Sequence, residues 1–410
     1  MTEQTILLLL LGIITFDFVL ERILGYLNRK SSKRPIPEEL EGIYDEEKYK
    51  KSQEYQAEVS RFGVLSSCIS FVLIFLAIYM GWFGYLDQWI RTFSPLSLVS
   101  PLLFFGVLFV LSDILNTPFA LYRNFVIEEK YGFNKMTIKT YLGDKLKSYL
   151  LTIIIGGLLL GILVYLVDAI GSDFWIYFWT VMTAFVLFAN LFYTSLILPL
   201  FNKLTPLDEG ELKSAIHAYS EKVKFPLTNI FVMDGSKRSS KGNAFFSGLG
   251  KKKKVVLFDT LIEKHSVEEV TAVFAHEVAH FKKKHIVYGT VFSILMMGIM
   301  LFVFSRMAYN AEVSWAMGGQ TSALHLNLLA FGILYSPIST ILGIIGNIIS
   351  RKNEYEADAY ARETYKAEPL ITGLKKMSSD HLSNLTPHPA YVFVHYSHPP
   401  LSERVRALQK

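Results

Sequence analysis

A single cysteine, Cys68, occurs in this 410-residue chain, and it lies inside an apolar run. That excludes a disulfide framework within the chain and a zinc site built on thiolates. Cys68 itself reads as a small buried hydrophobe. Charge is also scarce, at 19% of residues against 51% hydrophobic, which is too little polar surface for two or three soluble domains. Neither a G-x-G-x-x-G nor a Walker-type loop is present, so these phosphate-cradling motifs are ruled out. There is no internal repeat and no low-complexity segment. The net charge of +5, in a chain this apolar, reports membrane topology, and no nucleic-acid partner is expected.

What the chain does have is long apolar stretches. Seven of them, near 4–24, 62–82, 98–120, 148–169, 175–200, 287–308 and 325–349, reach the roughly 20 residues that a helix needs to cross a bilayer. The first has no basic residue ahead of it. Asp17, Glu21 and Arg22 stand where a signal-cleavage site would need small residues, so it reads as a retained span. The connections alternate in charge. Lys and Arg number eight in 25–61, one in 83–97, six in 123–147, and none in 170–174 or 309–323. Excess Lys and Arg mark the cytoplasmic side, which places the N-terminus outside and the C-terminus in the cytoplasm.

The fold class expected is a mainly α, polytopic membrane protein of seven transmembrane helices with a zincin-like cytoplasmic α+β metalloprotease region. Residues 1–200 hold five spans and 201–286 the metalloprotease region. Two further spans occupy 287–349, and 350–410 form a C-terminal region. Within 201–286, ELKSAIHAYSEKV has helical periodicity, while TNIFVMD and KKVVLFDTLI read as strands. A turn is expected at Gly248–Lys254, where Lys251 to Lys254 read as solvated, with contact to anionic lipid as the alternative. Residues 266–286 then predict a helix opening at Ser266, with Glu269 completing a capping box. Asn243, Ala244, Phe245, Phe246 and Ser247 are candidates for an edge strand onto which an extended peptide substrate pairs. An ordinary hairpin arm is the plainer possibility.

The chemistry centres on HEVAH at 276–280. Histidines four apart share one helical face, so His276 and His280 can aim both imidazoles at one zinc ion, with Glu277 beside it as general base. Two structural histidines on a surface helix would be the alternative. His285 reads as a surface residue. A hydrolytic zinc site needs a third protein ligand and an open position for water. Glu354 is the strongest candidate, with Asp358, one turn further, to hydrogen-bond a ligand histidine. The pair could instead merely solvate the start of a helix. Glu356 falls on another face. His398 and Arg404 are candidates for a donor to the oxyanion that peptide hydrolysis generates, with a plain turn role as the alternative for the Pro-flanked His388 and His398. Polar residues in or near the apolar stretches, Asp17, Asp113, Asn116, Asn190 and Asn347, are expected to face other helices or water.

Taken together, FVIEEKYGFNKMT (125–137), LPLFNKLTPL (198–207), GNAFFSG (242–248), HEVAH, NEYEADAYA (353–361) and YSHPPLSERVRAL (396–408) resemble the type I CAAX prenyl protease family of seven-span membrane zinc proteases. The resemblance covers nearly the whole chain. It implies one zinc ion per chain with Glu354 as third ligand, His398 and Arg404 near the substrate, and a water-filled chamber enclosed by the helices. The substrate implied is a prenylated Cys-a-a-X protein or another membrane peptide, with membrane lipid as surroundings. A heat-shock-type membrane quality-control zinc protease is the second enzyme reading. A transporter or scaffold on a dead zinc fold is the third, and the intact Glu277 argues against it.

Overall fold

The computed structural model describes residues 1–94, 98–226, 229–247 and 254–410. Its apolar stretches are helical, as a segment whose backbone groups must be satisfied internally requires. Helix α1 (Glu3–Ser31) and helix α2 (Glu46–Tyr79) pack along each other. Side-chain caps open both: Thr2 accepts from the Thr5 amide and Asp45 from that of Lys48. Helix α3 (Trp82–Phe93) precedes α4 (Val99–Tyr122), which runs into a π-helical turn at Arg123–Glu128. Helices α5 (Ile138–Leu151), α6 (Gly157–Ile170), α7 (Phe174–Phe192) and α8 (Leu198–Phe201) follow almost without a break.

Four helical runs are long and apolar enough to cross a membrane, or five if the pair Leu324–Leu334 and Ser336–Thr364, bent by 50°, counts as one. That is fewer than the seven expected. Part of the difference lies in the run Ile138–Phe201, whose 64 residues would make a rod about 96 Å long, some three bilayer cores. Gly171, at φ 75°, interrupts it, and α6 and α7 pack against each other on either side of that turn. The most apolar window of each qualifying run is only 11–17% buried within the protein, so most of its side chains are left for lipid or solvent to cover. Cys68 is half-buried rather than buried.

The polar groups of the apolar stretches find partners on helices. Ser336 donates to Asp17, Asn347 to the Val394 carbonyl, Asn116 to that of Ser112 and Asn190 to that of Val186. Asp113 pairs with Lys145 at 2.7 Å.

Beyond α8 come strand β1 (Leu204–Pro206), helix α9 (Glu211–Lys222), strands β2 (Asn229–Met233), β3 (Ala244–Ser247) and β4 (Lys254–Phe258), and helices α10 (Asp259–Lys264) and α11 (Val267–Lys282). The sheet order is β1-β2-β4-β3, with β2 and β4 parallel and both outer pairs antiparallel. Strand β4 is shorter than the sequence suggests. The Asp259 carboxylate accepts from the Ser236 and Thr260 amides and starts a helix where strand was expected. Of the four lysines expected in a solvated turn, Lys251 to Lys253 lie outside the described residues, while Lys254 opens β4 and donates to Ser195.

Helix α11 ends four residues early, because Lys284 takes φ 60° and redirects the chain into α12 (His285–Ser305). Helices α13 (Ala311–Ala316), α14 (Leu324–Leu334), α15 (Ser336–Thr364), α16 (Ala367–Asp380), α17 (Pro389–His395) and α18 (Leu401–Gln409) complete the chain. At 29 residues, α15 carries the last apolar stretch and NEYEADAYA on one rigid element.

The main core joins α9, the sheet, α10, α11, α16 and α18 to Leu40, Tyr44, Tyr55, Ile127 and Phe133 from the ends of the membrane helices. The polar region is thus fused to the membrane helices. At the opposite end α3 meets the turn after α13 backbone to backbone. A Cβ on Gly84 would stand 1.8 Å from the Gly318 carbonyl oxygen, so only glycine fits there.

Candidate metal centre

Helix α11 is fixed before any ligand is considered. Ser266 and Glu269 form both hydrogen bonds of the capping box. Phe274 is fully buried among the rings of Tyr219, Phe225 and Phe246, a burial that contributes about 2–3 kcal/mol. Ala275 and Ala279 on α11, and Ala357 and Ala361 on α15, are also fully buried. Small residues at such a contact let two helices approach closely, and α11 and α15 pack along each other here.

That approach brings His276, His280 and Glu354 together, with one ligand atom from each within 4.8 Å of the others. The two Nε2 atoms are 3.2 Å apart, and the Glu354 oxygens lie 3.4 Å from that of His276 and 3.3 Å from that of His280. Ligands at 2.0–2.1 Å from a tetrahedral ion stand about 3.3 Å from one another. Glu354 Oε2 is buried and has no hydrogen-bond partner, a cost that a cation would remove. Burial alone would push the His276 imidazole down, but its bonds to Asp358 and Glu354 reverse this and bring it up to about 9. The pocket therefore draws positive charge, and a metal there would displace that proton. The donor set fits a divalent cation with one position left open.

The groups behind the ligands fix their tautomers. His276 Nδ1 lies 2.8 Å from Asp358. Asp358 also receives Nε and Nη2 of Arg404, at 2.8 and 2.6 Å. His280 Nδ1 lies 3.0 Å from His285 Nδ1, and His285 Nε2 lies 3.3 Å from Glu356. With both ligand Nε2 atoms left as lone pairs, His280 donates to His285 and His285 to Glu356, and every proton has one place.

One expectation is corrected here. His285 is buried, not a surface residue. Arg404 is buried against the Nδ1 side of His276, with its guanidinium bound in a fork by Asp358. Its Nη1 also stands 3.5 Å from Glu354 Oε2, on the Nε2 side where the open position lies. His398 is the exposed member of the set, its Nε2 3.4 Å from Glu354 Oε1. Glu277 is partly exposed and no protein hydrogen bond reaches its carboxylate among the described residues. Burial raises its pKa, against the pull of His276 and His280. Strand β3 lies at the free edge of the sheet and touches α11, although Asn243 precedes the strand.

Residues 25–203 match the family model described as CAAX prenyl protease N-terminal, five membrane helices, and residues 206–410 match peptidase family M48. CAAX prenyl protease 1 of Saccharomyces cerevisiae is 33% identical over 98% of this chain and 94% of its own. The human CAAX prenyl protease 1 homolog is 32% identical over 91% of this chain and 88% of its own. The crystal structure of Ste24p from S. mikatae superposes with a TM-score of 0.93 at 33% identity, covering 99% of both chains.

Proposed function

This chain belongs to peptidase family M48 and its CAAX prenyl protease branch, and on that premise we propose that it is a membrane zinc endopeptidase cutting near the C-terminus of prenylated, CAAX-type proteins or other membrane-associated peptides. The observation that carries this is the trio His276, His280 and Glu354, spaced as the edges of a tetrahedron with Glu277 beside it.

His276 and His280 would hold the ion through Nε2, and Glu354 through its carboxylate. Zinc bound there would polarise the scissile carbonyl and acidify a water in the open position. Glu277, its pKa raised by burial, takes the proton from that water and returns it to the leaving amine. His398, exposed beside Glu354, donates to the oxygen on which negative charge develops. Arg404 is a positioning residue that holds Asp358, and through it His276. The substrate backbone pairs with the free edge of β3, from Asn243 to Ser247, in the manner of a zincin. Phe245→Pro should then raise KM with bound metal unchanged, and wild-type kinetics would remove this role.

In the same reading the membrane domain has seven spans, with the N-terminus outside and the C-terminus cytoplasmic. Support comes from the break at Gly171, the apolar α1 and the alternating Lys and Arg of the connections. The sparse burial of the spans supports a water-filled chamber between them.

The test is cleavage by the purified protein of a farnesylated peptide ending in Cys-a-a-X, beside its unprenylated twin. Expected is cleavage of the farnesylated peptide that a chelator stops and zinc restores, with the twin cut more slowly. Cleavage that survives the chelator would overturn the assignment.

A further inference from the structure

Where α1 leaves its apolar stretch, it and the first half of α2 enclose a groove of about 730 Å³, which runs on into a second of about 470 Å³. Tyr26, Arg29 and Ser32 line both. Around the larger groove stand Arg29, Lys30, Lys33, Lys50 and Arg61, against one carboxylate, Glu54. Among the described residues none of these five cations lies within 4.0 Å of a carboxylate oxygen. Cations just outside the groove are paired: Lys48 with Asp380 at 3.6 Å, and Lys130 with Glu58 at 2.7 Å.

The smaller groove runs toward the apolar stretch with Arg22 and Arg29 beside one carboxylate, Glu21, which lies 3.4 Å from His395 Nε2. Arg22 lines it two helical turns before Arg29, on the same face of α1. Its Nε is buried and has no hydrogen-bond partner. Val64 lines this groove as well, and Ile23 and Leu65 beside it are exposed.

A bias toward Lys and Arg on one side of a membrane is accounted for by topology. Topology does not require five of them to converge on one concavity with a single carboxylate, Glu54, while Lys48 and Lys130 nearby are paired. Unpaired like charges gathered this way repel one another, and an anion removes the repulsion. The cationic groove also opens onto exposed aliphatic side chains, so the matching ligand is an amphiphile with an anionic head. We propose that the groove between α1 and α2 is a binding site for the phosphate of an anionic phospholipid head group, with Arg22, Arg29 and Arg61 as principal contacts. The site requires α1 and α2 to lie in the bilayer and is independent of the peptidase reading.

The full-length protein in neutral detergent would be titrated with short-chain phosphatidylglycerol, short-chain phosphatidylcholine and inorganic phosphate, with binding read by native mass spectrometry and thermal shift. Phosphatidylglycerol should bind saturably and at least about tenfold more tightly than the other two. Arg29→Gln with Arg61→Gln should weaken it roughly thirtyfold, at about fivefold for each charge lost near a membrane surface. Lys135→Gln with Lys139→Gln, the same charge change in the loop before α5 and its first turn, should leave it unaltered. Cleavage of a peptide by the first variant at the wild-type rate would establish that its fold is intact. If that variant does not purify, Arg22→Gln alone should give the fivefold loss. Equal binding of phosphatidylcholine, equal binding of inorganic phosphate, or an equal loss in the loop control would each overturn the proposal.

Discussion

Helices α11 and α5 are close in length and opposite in surroundings: ten of the 16 residues of α11 are buried, and none of the 14 in α5. Helix α11 is covered by α9, α15 and α16 and by the edge of the sheet. It therefore holds its two histidines against side chains that cannot move independently. The membrane helices touch their neighbours lightly and leave apolar residues exposed around most of their circumference. A close-packed core transmits small displacements. The trio His276, His280 and Glu354 belongs to the first kind of region, and the exposed apolar helices are the second.

The largest effect expected inside the packed region comes from Glu277→Ala. It removes no ligand, so metal content should stay near that of the wild type while kcat falls roughly 10²–10⁴-fold, the usual contribution of a general base. A wild-type kcat would show that the group beside the two histidines does not act on the substrate.

Next in size is a direct contrast of the two regions. Phe274→Ala empties a fully buried site on α11 and should cost about 3–5 kcal/mol. Leu158→Ala on α6 removes a side chain that is 62% exposed and should cost about 0.5 kcal/mol or less. Thermal unfolding in detergent measures both, and equal losses would break the comparison.

Much of this was legible in the sequence, for reasons that differ by residue. HEVAH is local, and a spacing of four on a helix fixes a shared face whatever surrounds it. Glu354 was reachable because the same spacing recurs with Asp358 at the end of an apolar stretch. His285 was not. Five residues past His280 on an unbroken helix lies about 140° around the axis, but Lys284 breaks the helix and turns that ring back. The same break made Glu356 look idle. Arg404 is 46 residues from the carboxylate it grips, and only the packing of α18 on α15 shows which way it faces. The sequence separates 148–169 from 175–200 at the turn around Gly171. The helices join there into one run of 64 residues, Ile138–Phe201, which is part of why fewer runs than spans are counted. That β3 is an edge follows from strand order, which alternation along one strand cannot supply.

The overlooked relay yields the smallest effect, and it sharpens the contrast within the packed region. His285→Ala should weaken metal binding by roughly 10–100-fold, the range for groups that orient a ligand histidine. Chelator competition would measure this, and an unchanged affinity would make His285 a packing residue only.

The most direct test of the whole account is the zinc content of the purified protein after dialysis, compared among the wild type, Glu354→Ala and Glu356→Ala. The expected result is close to one zinc per chain in the wild type, most of it kept in Glu356→Ala, and strong loss in Glu354→Ala. Equal retention in the two variants would contradict a centre built from His276, His280 and Glu354.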